Sequence, residues 1–284
     1  MENNGYSRFG DNVNVVKANR KQILCYVLIA LGAVVVIILA ILAYYFGTIN
    51  RLKHTPDDPR WQYLVLSQLW SPSECIVSNN KSGSHGCVIP TGVSFWTIHG
   101  LWPSVENSSK VAPFYCNHSQ KFDLHYIDDL TVRLKLFWPN LYPQKSESSL
   151  WKHEWDKHGT CAETVPALKD EHHYFAQTMS LAAKYNVTSL LRMAGFPPSK
   201  SSYMAQEVLD GFNQQLRSNA TFHCLKLNDE YYLSEVRICL SKSFTLYKCP
   251  GKNESLFSNV TDSQPVPVPV PCDMDGQFLI PPFY

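Results

Sequence analysis

Two short segments concentrate the side chains that can move protons. One is Phe95-Trp96-Thr97-Ile98-His99-Gly100-Leu101-Trp102-Pro103. The other is Trp151-Lys152-His153-Glu154-Trp155-Asp156-Lys157-His158-Gly159-Thr160-Cys161. In the first, His99 closes an apolar strand, Val93 to Ile98, before a Gly and a Trp-Pro turn, so it is held firmly yet can face a cleft. In the second, a helix turning about 100° per residue aligns His153 with Lys157 and Glu154 with His158. Gly159 can end that helix and Cys161 can staple it down. Two histidines and a cation suit phosphodiester transfer by general acid–base catalysis. A neutral imidazole takes the proton of a ribose 2′-hydroxyl, and an imidazolium protonates the departing 5′-oxygen. A lysine stabilises the charge on the phosphorus-centred transition state. This chemistry requires no metal or other cofactor.

A zincin-type zinc site needs histidines at i and i+4 on one helix face, but here i+4 from His153 is the cation Lys157. The second histidine is at i+5, about 140° away at α-helical pitch. A phosphatase with a histidine nucleophile would want arginines around its phosphate, and neither segment holds one. His54, His85, His118, His125, His172, His173 and His223 lack such company and read as ordinary surface or half-buried groups.

The elements that position these segments form a mixed set. Trp61 to Trp70 reads as a strand stopped by Ser71-Pro72, and Tyr231 to Leu240 alternates like another. Phe244 to Cys249 can pair with the latter. Ile127 to Trp138, Glu171 to Ala183 and Met204 to Leu216 have helical spacing. Val266 to Pro271 must be extended, and its prolines exclude a central strand. Strands and helices do not alternate regularly, so the fold class is α+β. Among 284 residues, 25 Lys and Arg meet 24 Asp and Glu. That balance excludes a broad basic face for duplex nucleic acid. The 45% hydrophobic and 13% aromatic content excludes a disordered chain.

Residues 23–46 form an uncharged apolar run of 24 residues. As a helix it would span about 36 Å, enough for a bilayer core. Its end lacks a small-x-small cleavage pattern, which favours a retained anchor over a cleaved signal. Seven sequons, at Asn80, Asn107, Asn117, Asn186, Asn219, Asn253 and Asn259, all lie beyond the run. So do eight of the nine cysteines, the exception being Cys25. An even count suggests four disulfides in an oxidising lumen. The expected arrangement is a type II membrane protein carrying N-glycans. Its parts are a cytosolic tail (1–22), a transmembrane signal-anchor (23–46), a stalk (47–59) and one lumenal domain (60–284), with secretion after cleavage as the alternative. Gly5-Tyr6-Ser7-Arg8-Phe9 in the tail is similar to tyrosine-based lysosomal sorting signals, so the organelle stays open between the endolysosomal system and the cell surface.

The two segments resemble the paired signatures of the ribonuclease T2 family, above all its animal members. Leu66-Ser67-Gln68-Leu69-Trp70 followed by Cys75, and Arg237-Ile238-Cys239-Leu240, support the resemblance from about Arg60 to the end of the sequence. It implies an antiparallel sheet packed with helices. It also implies endonucleolytic cleavage of single-stranded RNA to 2′,3′-cyclic phosphates and then 3′-phosphates. His158 would be the general base and His99 the general acid. His153 would bind phosphate, Glu154 and Lys157 would stabilise it in the transition state, and Trp102 would line the site. With chain order, the family pattern suggests Cys75–Cys87, Cys116–Cys161, Cys224–Cys272 and Cys239–Cys249. Many members hold the base with an Asp after the Trp-Pro. Here Ser104 implies broad base tolerance, unless Glu106 or Asn107 takes over that Asp's part. A glycoprotein of this fold acting mainly in recognition is the second reading. No obligate protein partner is evident.

Overall fold

The structure, a computed structural model, describes residues 24–45, 60–80, 86–106, 110–250 and 268–283. The expected tail and stalk lie outside them. Helix α1, Leu24–Tyr45, has 22 residues, an 18-residue stretch of mean hydropathy 3.1 and no buried position. Its length and composition suffice to cross a bilayer, a property that an N-terminal signal sequence shares.

From residue 60 the chain is α+β. A five-stranded antiparallel sheet has the order β2-β1-β5-β4-β6. Its strands are β1 (Tyr63–Leu69), β2 (Thr97–Ser104), β4 (Ala220–Leu227), β5 (Glu230–Leu240) and β6 (Val270–Pro271). A second pair joins β3 (Tyr203–Met204) to β7 (Gln277–Phe278). The helices are α2 (Ser71–Asn79), α3 (Thr131–Phe137), α4 (Ser149–Glu154), α5 (Thr160–Ala162), α6 (Glu171–Lys184), α7 (Val187–Met193) and α8 (Ala205–Leu216).

The sheet is covered on both faces, so β1 and β5 read as nearly continuous buried runs. Leu64, Leu66, Val236, Ile238 and Leu240 join the main core with Tyr174, Phe175 and Phe212 from the helices. Tyr63, Val65, Trp102 and the Cys239–Cys249 pair form a smaller cluster. Val65 pairs with both Trp102 and Cys239, so these side chains share the second face, the one that carries the site. All four disulfides are formed, with the pairing that the family pattern implies. Cys116–Cys161 closes 45 residues and ties a distant loop to α5.

Several elements differ from the sequence expectation. Ser71-Pro72 does not merely stop a strand; the proline sits in the first turn of α2, where its missing N–H costs nothing. The helix expected from Ile127 is broken there, a 3-10 turn (Leu124–Leu130) leading into α3 with a non-helical Ile127. Phe244 to Cys249 makes a bridge from Leu246 to Leu240 and no strand. Pro271 lies in the edge strand β6, as its missing donor requires.

Candidate active site

His99 does not close a strand that began at Val93. Strand β2 starts at Thr97 and runs through His99 to Ser104 at the sheet's edge, where Pro103 is tolerated. The pairing with β1 slips at this point: Gly100 faces Ser67, and Ile98 faces Gln68. His99 is therefore the extra residue of a β-bulge, a device that re-aims a side chain. Regular alternation would send His99 to the helix-covered face with Leu101. The bulge sends it to the face of Trp102, leaving its side chain 32% exposed.

The second segment departs from α geometry. Trp155–Gly159 is a turn of π-helix between α4 and α5. The Thr160 N–H donates to the Trp155 carbonyl, and the Thr160 hydroxyl donates to the bypassed Asp156 carbonyl at 2.9 Å. Gly159 does not end the helix. It lies against the Trp155 ring, in the space a Cβ would take. In this register five residues complete about one turn. The α-pitch angle between His153 and His158 therefore does not hold. One ligand atom each from His153, Glu154 and His158 lie within 4.8 Å of one another, a spacing that could hold a metal ion. Lys157 carries a positive charge that acts on both Glu154 and His158, which opposes a bound cation there. The Lys157 carbonyl accepts from Tyr115 N–H at 2.9 Å, docking the loop that Cys116–Cys161 secures.

Trp102 joins the two segments. Its indole N–H donates to Glu154 Oε2 at 2.7 Å. Its ring centroid is 5.1 Å from that of His99 and 5.5 Å from that of His158. The bond passes over Gly100, where a Cβ would strike both Trp102 and Glu154. Trp102 is thus a buried brace rather than a loose lining residue. His153 and His158 stand 6.3 Å apart, ring to ring. The structure brings His99, Trp102, Glu154 and His158 into one cluster, with His153 beside His158.

Sequence reasoning missed the other side of His99. Its Nδ1 lies 2.5 Å from Oε1 of Glu235 on β5. Arg237 donates to the other carboxylate oxygen from Nε at 2.9 Å and from its terminal nitrogen at 2.8 Å. Arg237 belonged to a segment singled out for resemblance; Glu235, two positions earlier, offered no local signal.

The environments push the two central histidines apart. Burial lowers the His158 pKa well below 6.5, and the charges of Lys157, His153 and His99 lower it further. Burial also disfavours the charged form of His99. The Glu235 charge and hydrogen bond, with Glu154, outweigh that and raise its pKa to about 8. Burial lifts Glu154 to about 7 against the charges of His99 and Lys157.

Ser104 is buried in the sheet. It is 1% exposed, and its hydroxyl donates to the Trp102 carbonyl at 3.3 Å. Glu106 is exposed and its carboxylate accepts from the Tyr247 hydroxyl. Asn107 lies outside the described residues, as do Asn253 and Asn259. Asn80 and Asn219 are exposed. The Asn117 amide donates to Glu163 at 3.0 Å, and Asn186 caps α7 by accepting from Ser189 N–H at 2.8 Å.

An α+β domain that sets two histidines around a buried Trp–Glu pair is suited to general acid–base chemistry. Residues 61–249 match the Ribonuclease T2 family, to which the chain belongs. It is a T2-type endoribonuclease. The chain is 40% identical to ribonuclease Oy of Magallana gigas over 199 residues, covering 69% of this chain and 90% of that protein. It is 30% identical to human ribonuclease T2 over 216 residues, covering 74% and 78%. The crystal structure of human RNase T2 superimposes with a TM-score of 0.62 at 28% identity, covering 78% of this chain and 99% of that one. A variant of RNase MC1 in complex with 5′-GMP superimposes with a TM-score of 0.57 at 28% identity, covering 66% and 94%.

Proposed function

We propose that the enzyme cleaves single-stranded RNA by transesterification, without a metal, through His158 as general base and His99 as general acid. The opposite displacement of their two pKa values carries this reading. His158 is held neutral, able to take the proton of the 2′-hydroxyl as that oxygen attacks phosphorus. His99 is held protonated, able to deliver a proton to the 5′-oxygen as the P–O bond breaks. Product ends are a 2′,3′-cyclic phosphate and a 5′-hydroxyl. In the hydrolytic step the roles exchange: His99 takes a proton from water and His158 returns one to the 2′-oxygen, leaving a 3′-phosphate. Glu154, half-protonated near neutrality, and Lys157 face the charge that builds on the phosphate. His153, partly exposed beside His158, binds phosphate. The test is conversion of polymeric RNA to cyclic-phosphate-ended fragments by the purified protein with EDTA present. Fragments with 5′-phosphate ends, or dependence on added metal, would overturn the mechanism.

We also infer the single-pass type II arrangement, with residues 1–22 cytosolic, 23–46 in the membrane, 47–59 as stalk and 60–284 lumenal. The exposed apolar helix α1 and the placement of sequons and disulfides beyond it support this reading. In sealed microsomes, protease should trim only the tail, and glycosidase should act only after detergent. A soluble product lacking residues 23–46 would favour the cleaved signal. If Tyr6 heads a lysosomal sorting signal, Tyr6→Ala should raise surface biotinylation.

A further inference from the structure

We propose that Glu235 is the positioning residue for His99, gripping Nδ1 so that Nε2 is the nitrogen that exchanges protons in the cleft. This rests on the acid role proposed for His99. The contact pairs His99 Nδ1 with Glu235 Oε1 at 2.5 Å, while His99 Nε2 points toward Glu154, 3.9 Å from its Oε1. Glu235 is fully buried on β5, and its position is set by the sheet on both sides. Toward β1, Ser67 donates to Oε2 at 3.2 Å. Toward β4, His223 is its cross-strand partner, next to a second irregularity in the pairing.

A buried carboxylate with no donors would protonate. Burial does oppose its charge, but the charges of Arg237, His99 and His223 and the His99 hydrogen bond reverse that and hold its pKa well below the usual carboxylate range. Oε2 is committed to Arg237 and Ser67, and Oε1 faces His99 Nδ1. An ionised carboxylate can only accept, so Nδ1 must carry hydrogen. That choice has a chemical consequence. After His99 gives up its Nε2 proton to the 5′-oxygen, it is left as the Nδ1–H tautomer, with an Nε2 lone pair facing the cleft. That lone pair is what the hydrolytic step needs to receive a proton from water. Glu235 touches neither nitrogen that reacts nor substrate; it acts through His99.

Glu235→Gln separates this role from simple packing. Arg237 and Ser67 would hold the amide oxygen, so the amide nitrogen would face Nδ1 as a donor and disfavour the imidazolium. In the full-length protein, the KM for a dinucleoside monophosphate should stay unchanged. The kcat near pH 7.5 should fall on the order of 10–100-fold, by analogy with removing the partner that orients a metal-bound histidine. The alkaline limb of the pH–rate profile should move to lower pH. A folded Glu235→Gln protein with an unmoved alkaline limb overturns the proposal. So does loss of activity through KM alone. If the variant does not fold, the wild-type histidine NMR titration decides, with the His99 signal assigned through His99→Ala. His99 must titrate above 6.5 and keep Nδ1 protonated when neutral, and the opposite result on either count refutes the grip. Full activity in His99→Ala would sink the catalytic reading itself. Its loss there beside full activity in Glu235→Gln would overturn this inference alone.

Discussion

Trp102 and Glu154, 52 positions apart, are joined by a buried indole-to-carboxylate hydrogen bond of 2.7 Å. This one bond couples the edge strand that carries His99 to the helix that carries His153, Lys157 and His158. It passes directly above Gly100, so the glycine is part of the coupling. Arg237, which braces Glu235, also lies over the Trp102 ring, 5.2 Å from its centroid. Both histidine-bearing segments and the central strand β5 therefore meet at Trp102.

Trp102→Phe should keep most of the ring packing and remove only the donor. A buried carboxylate oxygen then lacks its partner, a loss worth ~1–3 kcal/mol. The expected results are a lower melting temperature and a Glu154 pKa above its present value of about 7. An unchanged melting temperature and pH profile would show that the bond couples nothing.

His99→Ala and His158→Ala should each reduce kcat/KM by ~10²–10⁴-fold, the range for loss of a general acid or base. His153→Ala should raise KM more than it lowers kcat. Steady-state kinetics in EDTA checks all three. Near-normal cleavage by either of the first two variants would refute their assignment.

With the roles proposed for His158 and His99, activity in the transesterification step should follow a broad bell in pH. It needs neutral His158, so it falls only below that group's depressed pKa, on the acid side of 6.5. It also needs protonated His99, so it falls as pH rises through about 8. Mildly acidic to neutral solution lies on the plateau. A pH–rate profile with its maximum above pH 9 would contradict the assignment.

Glu171, at the start of α6, is buried, and burial raises its pKa to about 7 with help from Asp123, Asp156 and Asp170. A raised carboxylate means that the folded state holds the proton more tightly. Its contribution to stability is full below the unfolded value near 4.5 and is lost as pH rises through about 7. Glu154 acts in the same direction over the same window, and His99 between 6.5 and about 8. His158, with its lowered pKa, opposes them below 6.5. The melting temperature should therefore rise as pH falls from 8 to 6.5. Glu171→Gln, which mimics the protonated acid, should stabilise the protein at pH 8 and make no difference at pH 4.5. A thermal shift independent of pH would sink this account.

Ser104→Asp should destabilise the domain rather than sharpen base choice. The side chain is 1% exposed, so the carboxylate would enter the sheet without a donor in place. The cost is ~1–3 kcal/mol or more, read as a drop in melting temperature. A dinucleotide panel that shows a new base preference in a fully stable variant would restore Ser104 to the cleft.

The local pattern of the chain was enough to name the class of this protein. His99-Gly100-Leu101-Trp102-Pro103 and Lys152 to Cys161 carry the acid–base groups within two contiguous stretches. Motifs of that kind are legible because their residues are neighbours in sequence. The α+β character, the apolar helix and the even set of cysteines beyond it were legible for similar reasons, being matters of composition and short-range periodicity. What the pattern could not show is where the chain breaks its own periodicity. The His99 bulge depends on how β2 registers against β1, and the π turn at Trp155–Gly159 depends on where the Trp155 ring packs. Both change the direction in which a histidine points. Glu235 lies 136 positions from His99 and becomes its partner only when β1 brings β2 and β5 onto one sheet face. Ser104 follows Pro103 where relatives place a base-holding Asp, and its burial beside Tyr63 was not legible from that position. Sequence states which groups are present, whereas direction, burial and long-range pairing set their charge states. Those belong to the tertiary structure, because desolvation and Coulomb interactions depend on distance in space and not along the chain.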